Sequence, residues 1–364
     1  MGGVPVNELV RSLLDSGHKV SLFTGSRGIG AVWRASGVNL SIVSVPYRER
    51  ARARALDFFR HERRALAREL QSCDADVFHA HWTYEFALAC IDARANPLLV
   101  TAHDAPLTIL RYMPDPYRLI RTLMAYRARM SIKSLTAVSP YLARQWRKQM
   151  CFASPIRVIP NPTPTIRIPP VERSRHPVVL DIGDAGRRKN IRALLIGFAI
   201  VRAKRNTSEL RLIGPGLESD SEIANWSKSK GLDGGVAFLG QLDRVAVARQ
   251  LAEATIFCHA SLEESQPMCL LEAMSASLPI VAGRVAGGVP WTLFDGEAGK
   301  LVDVSRPEAI ALGLESLLSD EIGSGRLAAK AFELMPGRYA PALVSSMYVT
   351  EYERLIDQAN RQPS

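Results

Sequence analysis

Two carboxylates separated by seven residues are the part of this chain best suited to chemistry. Glu264 and Glu272 flank the segment Ser-Gln-Pro-Met-Cys-Leu-Leu. An apolar run at 254–260 precedes them and predicts a buried strand. Pro267 stands where a helix favours its first residue, and residues 268–276 are good helix formers. We therefore expect Glu264 in a loop and Glu272 about a turn into the helix.

The predicted helix start between these acids suits an anion. Free backbone N–H groups and the positive end of the helix dipole meet at such a point. A carboxylate on either side of a bound phosphate can accept hydrogen bonds from hydroxyl groups, those of a sugar at one end and those of a ribose at the other. The spacing therefore indicates a site for a nucleotide-sugar.

The elements around this pair indicate two α/β domains. Short β-rich runs alternate with helical stretches such as 6–16 and 140–150, which is typical of parallel sheets. We expect strands at 18–24, 39–45, 76–80, 97–102, 134–139, 156–159, 178–183, 209–214, 235–239, 255–260, 279–282 and 300–302. The expected division is a first domain at 1–160, a proline-rich linker at 161–170, a second domain at 171–338, and a C-terminal segment, 339–364. The helix predicted in that last segment has an apolar stripe and is expected to dock back on the first domain.

Length and composition exclude several classes of protein. A chain of 364 residues exceeds what one core usually supports, so two domains are the default. No apolar run reaches the roughly 18 residues of a membrane span, and the N-terminus has no apolar signal core. Five scattered cysteines without a C-x-x-C pair argue against zinc and against a disulfide framework. We expect a cytoplasmic protein.

The net charge of +10 either serves solubility or indicates an anionic partner. Much of the excess lies at 48–70, where arginines alternate with Phe58, Phe59, Leu66 and Leu70. This spacing predicts a basic amphipathic helix suited to the surface of an anionic membrane. The chain lacks zinc-finger spacing and an RNA-recognition signature, which argues against nucleic acid.

Short motifs follow one another in order along nearly the whole chain. They lie at 2–3, 16–20, 76–81, 100–104, 136–139, 158–161, 189–190, 212–216, 238–240 and 287–290. Together with Glu264, Glu272 and the Ala273-Met274 that follows, they resemble the family-4 retaining glycosyltransferases with their E-x7-E signature. The resemblance implies the GT-B fold of two facing Rossmann-like domains.

The same resemblance implies a hexosyltransferase that takes a sugar from a nucleotide diphosphate donor with retention of configuration. The acceptor would be a hydroxyl of a glycan or of a lipid-linked molecule, in cell-surface polysaccharide or glycolipid synthesis. No metal or other cofactor is implied, and the departing phosphate would help to deprotonate the acceptor. The basic segment suggests peripheral contact with the inner face of the membrane.

Family motifs assign roles to individual residues of the expected donor domain. Glu264 would contact the transferred sugar, Glu272 would bind the ribose hydroxyls, and Lys189 would grip the diphosphate. Gly2 and Gly3, before the first helix, would also approach the donor. Backbone groups for the sugar and the distal phosphate would come from four successive residues: Gln266, Pro267, Met268 and Cys269.

The acceptor side is expected in the first domain. His103 ends an apolar strand, where doubly wound folds bind ligands, and it matches the family histidine that faces the sugar. Asp104 follows it. His79 and His81 alternate on the preceding strand, so we expect one of them to line the acceptor site and the other to pack. We assign His81 to the acceptor side.

Two departures from the family pattern bear on activity. Asp184 replaces the usual arginine and would repel a diphosphate, so Arg187 or Arg188 is expected to take over as the phosphate ligand. The strand that normally leads into Gly2-Gly3 is missing, which would leave a gap in a parallel sheet. Either the start codon is assigned too late or the product is truncated. The alternative interpretation is therefore a catalytically inactive nucleotide-sugar-binding protein.

Overall fold

A computed structural model describes residues 3–163, 168–169 and 176–361. Gly2 and residues 164–167 and 170 of the expected linker lie outside the described residues. The chain divides into two compact units, residues 1–162 with 339–364 and residues 163–338. Each unit carries parallel β-sheet, and the prediction of an α/β protein with two Rossmann-like domains is confirmed.

The first unit contains two β-sheets. Their strands are β1 (Val20–Ser26), β2 (Trp33–Ser36), β3 (Leu40–Pro46), β4 (Phe78–His81), β5 (Leu98–Ala102), β6 (Ser134–Ala137) and β7 (Ile156–Val158). The orders are β1-β3-β2 and β4-β5-β6-β7, and every pair is parallel except β2 with β3. Within the described residues no strand joins the two sheets.

Helices cover these strands and enclose one main core. They are α1 (Val4–Asp15), α2 (Ala51–Leu56), α3 (Arg60–Gln71), α4 (Glu85–Asp92), α5 (Pro106–Tyr112), α6 (Pro116–Arg129) and α7 (Pro140–Met150). Local sequence sets several helix starts: Asp115 and Ser139 each cap a helix that begins with proline. Trp146 and Met124 are fully buried in the core that results.

The basic segment 48–70 differs from its prediction, because it forms two helices, α2 and α3. Phe58 and Phe59 adopt left-handed backbone angles, with φ of 56° and 57°, and interrupt the helix. Phe59, Leu66 and Leu70 are buried in the core of the unit. The prediction of a single helix with an apolar face free for a bilayer is therefore wrong, since three of the four apolar residues pack inside the protein and only Phe58, 39% exposed, does not. No described helix has the length and apolar character that crossing a membrane requires.

The second unit contains one six-stranded parallel sheet. Its strands are β8 (Val178–Ile182), β9 (Glu209–Ile213), β10 (Val236–Gly240), β11 (Ile256–His259), β12 (Ile280–Gly283) and β13 (Lys300–Val302). Its helices are α8 (Ile191–Lys204), α9 (Glu222–Ser229), α10 (Arg244–Glu253), α11 (Met268–Ser275), α12 (Val289–Thr292), α13 (Pro307–Ser319) and α14 (Glu321–Leu334), with 3₁₀ turns at Arg187–Lys189 and Phe294–Gly296.

The strand order β10-β9-β8-β11-β12-β13 reverses between β8 and β11. Open α/β sheets bind ligands at the carboxyl ends of the strands beside such a reversal. Gly214, after β9, has φ of 137°, and a Cβ there would overlap the carbonyl oxygen of Gly183, after β8. Glycine therefore lets two loops at this edge approach each other.

The C-terminal helix returns to the first unit, as predicted. A short helix, α15 (Pro336–Tyr339), lies at the boundary between the units, and α16 (Pro341–Asn360) follows. Val344 and Leu355 of α16 share a hydrophobic cluster with Leu9 of α1. The hydroxyls of Ser12 and Ser345 are 2.8 Å apart, so a buried hydrogen bond joins the two helices.

Candidate active site

The loop after β8 holds a lysine at the switch point of the second sheet. The Lys189 side chain lies along this loop, and a Cβ at Gly183 would meet its Cδ at an ordinary contact distance of 3.4 Å. Asn190 follows with a left-handed φ of 57°. Its Nδ2 donates to the carbonyl oxygens of Ala260 at 3.2 Å and Val304 at 2.8 Å. These bonds fix the turn against the loops that follow β11 and β13.

Glu264 is the centre of a buried ion-pair network. Its Oε1 accepts hydrogen bonds from Nζ of Lys189 at 2.5 Å and from Oγ of Ser261 at 2.9 Å. Its Oε2 accepts from Nη1 of Arg188 at 2.9 Å. Burial alone would raise the pKa of this carboxyl, but Lys189, a hydrogen bond from His259, and Arg188 hold it well below its usual value. Glu264 is therefore an ionised carboxylate with several donors.

Of the two candidate replacement cations, the structure brings only Arg188 to Glu264. The Arg188 side chain is 18% exposed, and it also donates to the carbonyl oxygen of Glu263 at 2.7 Å. Arg187 is exposed and forms no side-chain hydrogen bond or ion pair within the described residues. Asp184 closes the turn, because its Oδ1 accepts the backbone N–H of Gly186 at 2.7 Å.

His259, at the end of β11, connects Glu264 to Asp181 on β8. Its Nδ1 lies 3.0 Å from Oδ1 of Asp181, and its Nε2 lies 3.3 Å from Oε1 of Glu264. Burial disfavours the imidazolium, yet the Cys269 sulfur and the two carboxylates raise the pKa of His259 well above its usual value. Sequence reasoning missed both His259 and Asp181, since each lies within an apolar run that predicts only a buried strand.

Glu272, on α11, differs from Glu264. Within the described residues its carboxyl forms no hydrogen bond and no ion pair. Burial raises the pKa of Glu272 to about 7, and the positive charge of Arg244 opposes this only in part. At neutral pH the group is therefore divided between its protonated and ionised forms.

The segment between the two glutamates leads into α11 one residue later than predicted. Pro267 is the N-cap, and Met268 is the first helical residue. Gln266 and Cys269 are buried. The sulfur of Cys269 lies 3.7 Å from Nδ1 of His259, so this side chain packs against the imidazole.

Histidines of the first unit meet at the carboxyl ends of β4 and β5. The ring centroids of His79 and His81 are 4.1 Å apart, and Nδ1 of His81 lies 3.0 Å from Nε2 of His103. His79 uses both nitrogens, with the Tyr352 hydroxyl at 2.8 Å and the Thr101 hydroxyl at 2.7 Å. Of the two alternating histidines, His79 thus packs and His81 joins His103.

These imidazoles are neutral at pH 7. Burial lowers the pKa to about 3 for His79 and to about 4 for His103, and it lowers that of His81 well below its usual value. One N–H of the His81–His103 pair donates to the other ring. Each ring of the pair keeps a second nitrogen without a hydrogen bond in the part of the chain that the structure describes.

An exposed tryptophan lies beside this pair. Trp82 has a φ of 74°, unusual for a residue other than glycine, and its ring centroid is 5.0 Å from that of His103. Asp104 Oδ1 accepts from the Tyr84 hydroxyl at 2.7 Å, and its carbonyl oxygen accepts from Nε1 of Trp146 at 2.9 Å. Sequence reasoning missed Trp82; an aromatic residue directly after a predicted strand was the available signal.

Of the predicted glycine pair, Gly3 alone is described, and it is the N-cap of α1. A Cβ at Gly3 would meet Pro5 at an ordinary contact distance of 3.8 Å, and its φ is −62°. The structure thus gives no steric reason for glycine there. Elsewhere, no group of three or more His, Cys, Asp or Glu side chains among the described residues is arranged to hold a metal ion.

Two family models together match most of the chain. Glycosyltransferase Family 4 matches residues 3–167, and Glycosyl transferases group 1 matches residues 163–333. The chain belongs to the family-4 glycosyltransferases. A lipopolysaccharide core biosynthesis glycosyltransferase of Rhizobium meliloti is 29% identical over 200 residues, which are 53% of this chain and 56% of that protein. A phosphatidyl-myo-inositol mannosyltransferase of Mycolicibacterium smegmatis is 26% identical over 97% of this chain and 90% of its own length.

Solved structures show that this glycosyltransferase has the GT-B fold. Sucrose-phosphate synthase from Thermosynechococcus elongatus has a TM-score of 0.81 at 19% identity and covers 98% of this chain and 94% of its own. The HepE protein of Anabaena, in complex with UDP and glucose, has a TM-score of 0.71 at 17% identity and covers 97% and 96%. At identities of 19% and 17%, the similarity to these structures is evidence of a shared fold only.

Proposed function

We propose that this glycosyltransferase transfers a hexose from a nucleotide diphosphate donor to an acceptor hydroxyl, with retention and without a metal ion. The observation that carries the proposal is the contact of Lys189 and Arg188 with Glu264 at the switch point of the second sheet. The complex of HepE with UDP and glucose supports a UDP-sugar as the donor class.

Lys189 and Arg188 are the proposed ligands of the diphosphate. Negative charge grows on the departing phosphate in the transition state, so cations placed beside it contribute the largest catalytic term. Arg188 is suited to this role because guanidinium binds phosphate oxygens bidentately. It would therefore compensate for Asp184, which occupies the family arginine position and here serves the turn.

The two glutamates take different parts of the donor. Glu264 is the proposed contact of the transferred sugar, since an ionised carboxylate fixed by several donors is a rigid hydrogen-bond acceptor. Glu272 is the proposed contact of the ribose. Its carboxyl has no hydrogen bond within the described residues, so ribose hydroxyls would supply its partners. Backbone groups of residues 266–269 would hold the sugar and the distal phosphate.

The first unit supplies the proposed acceptor side. The neutral pair His81 and His103 offers hydrogen bonds to hydroxyl groups, and Trp82 offers an apolar face next to it. Their lowered pKa values make these histidines weak bases. Deprotonation of the acceptor is therefore assigned to the departing phosphate. The named activities of the two sequence relatives support a lipid-linked or cell-surface glycan acceptor.

Contact with an anionic membrane is a further part of the proposal. Arg48 and Arg63 form ion pairs inside the unit and are not available. Other basic side chains of this segment are exposed, among them Arg50 and Arg52. Leu56, which is 80% exposed, lies between these arginines and the next exposed one, Arg60.

Co-sedimentation with vesicles tests this contact. The protein is expected to sediment with phosphatidylglycerol vesicles and not with phosphatidylcholine vesicles. Replacing Arg50, Arg52 and Arg60 by glutamine should abolish sedimentation, because each basic residue near the surface contributes about 1 kcal/mol. Undiminished sedimentation of the triple variant would refute the contact.

A donor panel tests the catalytic proposal. Release of nucleoside diphosphate is measured with UDP- and GDP-hexoses, with EDTA present, for the wild type and Glu264→Ala. At least one donor should be turned over, and the variant should release nucleotide at least about 100-fold more slowly. Calorimetric binding of UDP without release from any donor would instead favour the inactive nucleotide-sugar binder.

A further inference from the structure

We infer that His259 is a positioning residue whose imidazolium holds the Glu264 carboxylate in place while Lys189 and Arg188 engage the donor diphosphate. The inference rests on the proposed function, because it concerns the same site. It adds a residue that does not touch the substrate and acts through Glu264.

The geometry suits an imidazolium between two carboxylates. The His259 side chain has no solvent exposure, and both ring nitrogens face a carboxylate oxygen, of Asp181 at 3.0 Å and of Glu264 at 3.3 Å. Asp181 is 1% exposed. Its second oxygen, Oδ2, has no hydrogen-bond partner within the described residues. A carboxylate this deeply buried is tolerated when it is paired, and His259 supplies that charge.

Donor binding changes what surrounds Glu264. When Lys189 and Arg188 turn to the diphosphate, Glu264 loses both of its outer cations. Ser261 and His259 then remain as its hydrogen-bond donors. A buried carboxylate without a nearby cation takes up a proton, and a protonated carboxyl is a poorer acceptor for sugar hydroxyls. The imidazolium of His259 prevents this.

The groups that face the imidazole favour its charged form. Asp181 approaches from β8, Glu264 from the loop after β11, and Cys269 from α11, with its sulfur 3.7 Å from Nδ1. The opposing cation, Lys189, is bound to the same Oε1 of Glu264 that faces the imidazole. Loss of the proton from His259 should therefore require a pH well above the usual imidazole range.

This arrangement predicts an alkaline limb in the pH profile of turnover. The pKa of His259 is raised in the folded protein, so its contribution is present at lower pH and is lost as the pH rises through that value. Asp181→Asn removes one carboxylate from the imidazolium and lowers its pKa. The alkaline limb of kcat/KM should then move to lower pH.

Two substitutions at position 259 separate the two contacts. The amide nitrogen of glutamine lies near the position of Nε2 and can still donate to Glu264, whereas that of asparagine lies near Nδ1 and reaches only Asp181. His259→Asn should lower kcat by roughly 10- to 100-fold, the effect of losing a hydrogen bond to a charged group. His259→Gln keeps a donor to Glu264 but not the positive charge, so it should lower kcat less than His259→Asn does and should lose the alkaline limb. The affinity for UDP, which lacks the sugar, should change less than about threefold in either variant, well below the tenfold that a lost charge-assisted bond would produce.

Cys258→Ala is the matched control, since it truncates a buried side chain on the opposite face of the same strand. Its pH profile should match that of the wild type. Equal kcat in the wild type and both His259 variants would overturn the inference. A pH profile of the wild type without an alkaline limb would also overturn it, and that measurement does not depend on any variant being folded. Failure of the wild type to bind either UDP or GDP would instead refute the proposed function.

Discussion

The two units place histidines at the carboxyl ends of parallel strands, yet the pKa values of these histidines shift in opposite directions. Burial lowers the pKa of His103 to about 4, whereas that of His259 is well above its usual value. His103 meets another neutral imidazole, and His259 meets the carboxylates of Asp181 and Glu264. Burial therefore keeps His103 neutral, whereas the groups around His259 outweigh the same effect of burial.

This difference separates two kinds of binding edge. The edge of the second unit carries fixed charges, with Lys189 and Arg188 held by Glu264, and is suited to a diphosphate. The edge of the first unit is neutral and aromatic around His81 and Trp82, and is suited to hydroxyl groups. Four substitutions, ordered by expected effect, test this contrast.

Glu264→Gln should have the largest effect, because it removes the anion that pairs the cations of the second edge. Nucleotide release should fall roughly 100- to 1,000-fold. The free energy of unfolding in urea should fall by about 3–5 kcal/mol, since Lys189 would be left buried and without its carboxylate. Arg188 would keep only its contacts with Glu263, a carbonyl oxygen at 2.7 Å and a carboxylate oxygen at 3.8 Å. The control is Glu315→Gln, which breaks a pair with the half-buried Arg205 at 3.4 Å and should cost less than about 1 kcal/mol. Equal losses in both variants would contradict a special role for Glu264.

A comparison of Arg188→Ala with Arg187→Ala tests which of the two arginines binds the diphosphate. Arg188 contacts Glu264, whereas Arg187 is exposed. Calorimetry with UDP should show roughly 10- to 100-fold weaker binding for Arg188→Ala, the effect of losing a charge-assisted bond, and less than about threefold for Arg187→Ala. The reverse order would assign the phosphate to the exposed arginine.

Glu272→Gln tests the acid whose pKa burial raises to about 7. Only the ionised carboxylate accepts two hydrogen bonds from ribose hydroxyls, so donor affinity should rise as the pH rises through about 7. Between pH 6 and 8 the change should be about tenfold for a UDP-sugar measured by calorimetry. The variant should bind with little dependence on pH. An unchanged pH dependence in Glu272→Gln would place the titrating group elsewhere.

His79→Gln should have the smallest effect, on acid stability. The pKa of His79 falls from 6.5 to about 3 on folding, so the unfolded chain binds more protons between these values. The stability that depends on neutral His79 is present above 6.5 and is lost as the pH falls. The urea midpoint should therefore decline less steeply with acid in the variant. His61→Gln, at an exposed position, should leave the slope unchanged. An unaltered slope in His79→Gln would mean that His79 is already charged in the folded protein.

The sequence predicted the bounds of some elements to the residue. The strand β13 and the helix α7 have the predicted bounds. Trp33–Ser36 was missed because four residues on an edge strand carry no clear apolar pattern. The interruption at Phe58 and Phe59 was missed because a left-handed backbone at two phenylalanines has no sequence signal.

The candidate site was predictable where a family motif marked it. The family motifs identified Lys189 and Glu264 as site residues, and in the structure the two side chains are hydrogen-bonded to each other. Their roles remain predictions. The family motifs do not show whether Arg187 or Arg188 reaches Glu264, because this depends on how the 3₁₀ turn that carries both residues is oriented. Contact between Asp181 and His259 joins residues 78 positions apart, in two strands whose sequences predict only a core.

Nuclear magnetic resonance of the protein labelled with ¹⁵N-histidine tests the central contrast most directly. The ring nitrogen shifts report the protonation of each imidazole, and single His→Gln variants assign them. At pH 7 His259 should be an imidazolium, while His79, His81 and His103 should be neutral. A neutral His259, or a protonated His103, at pH 7 would contradict the assignment of a charged donor edge and a neutral acceptor edge.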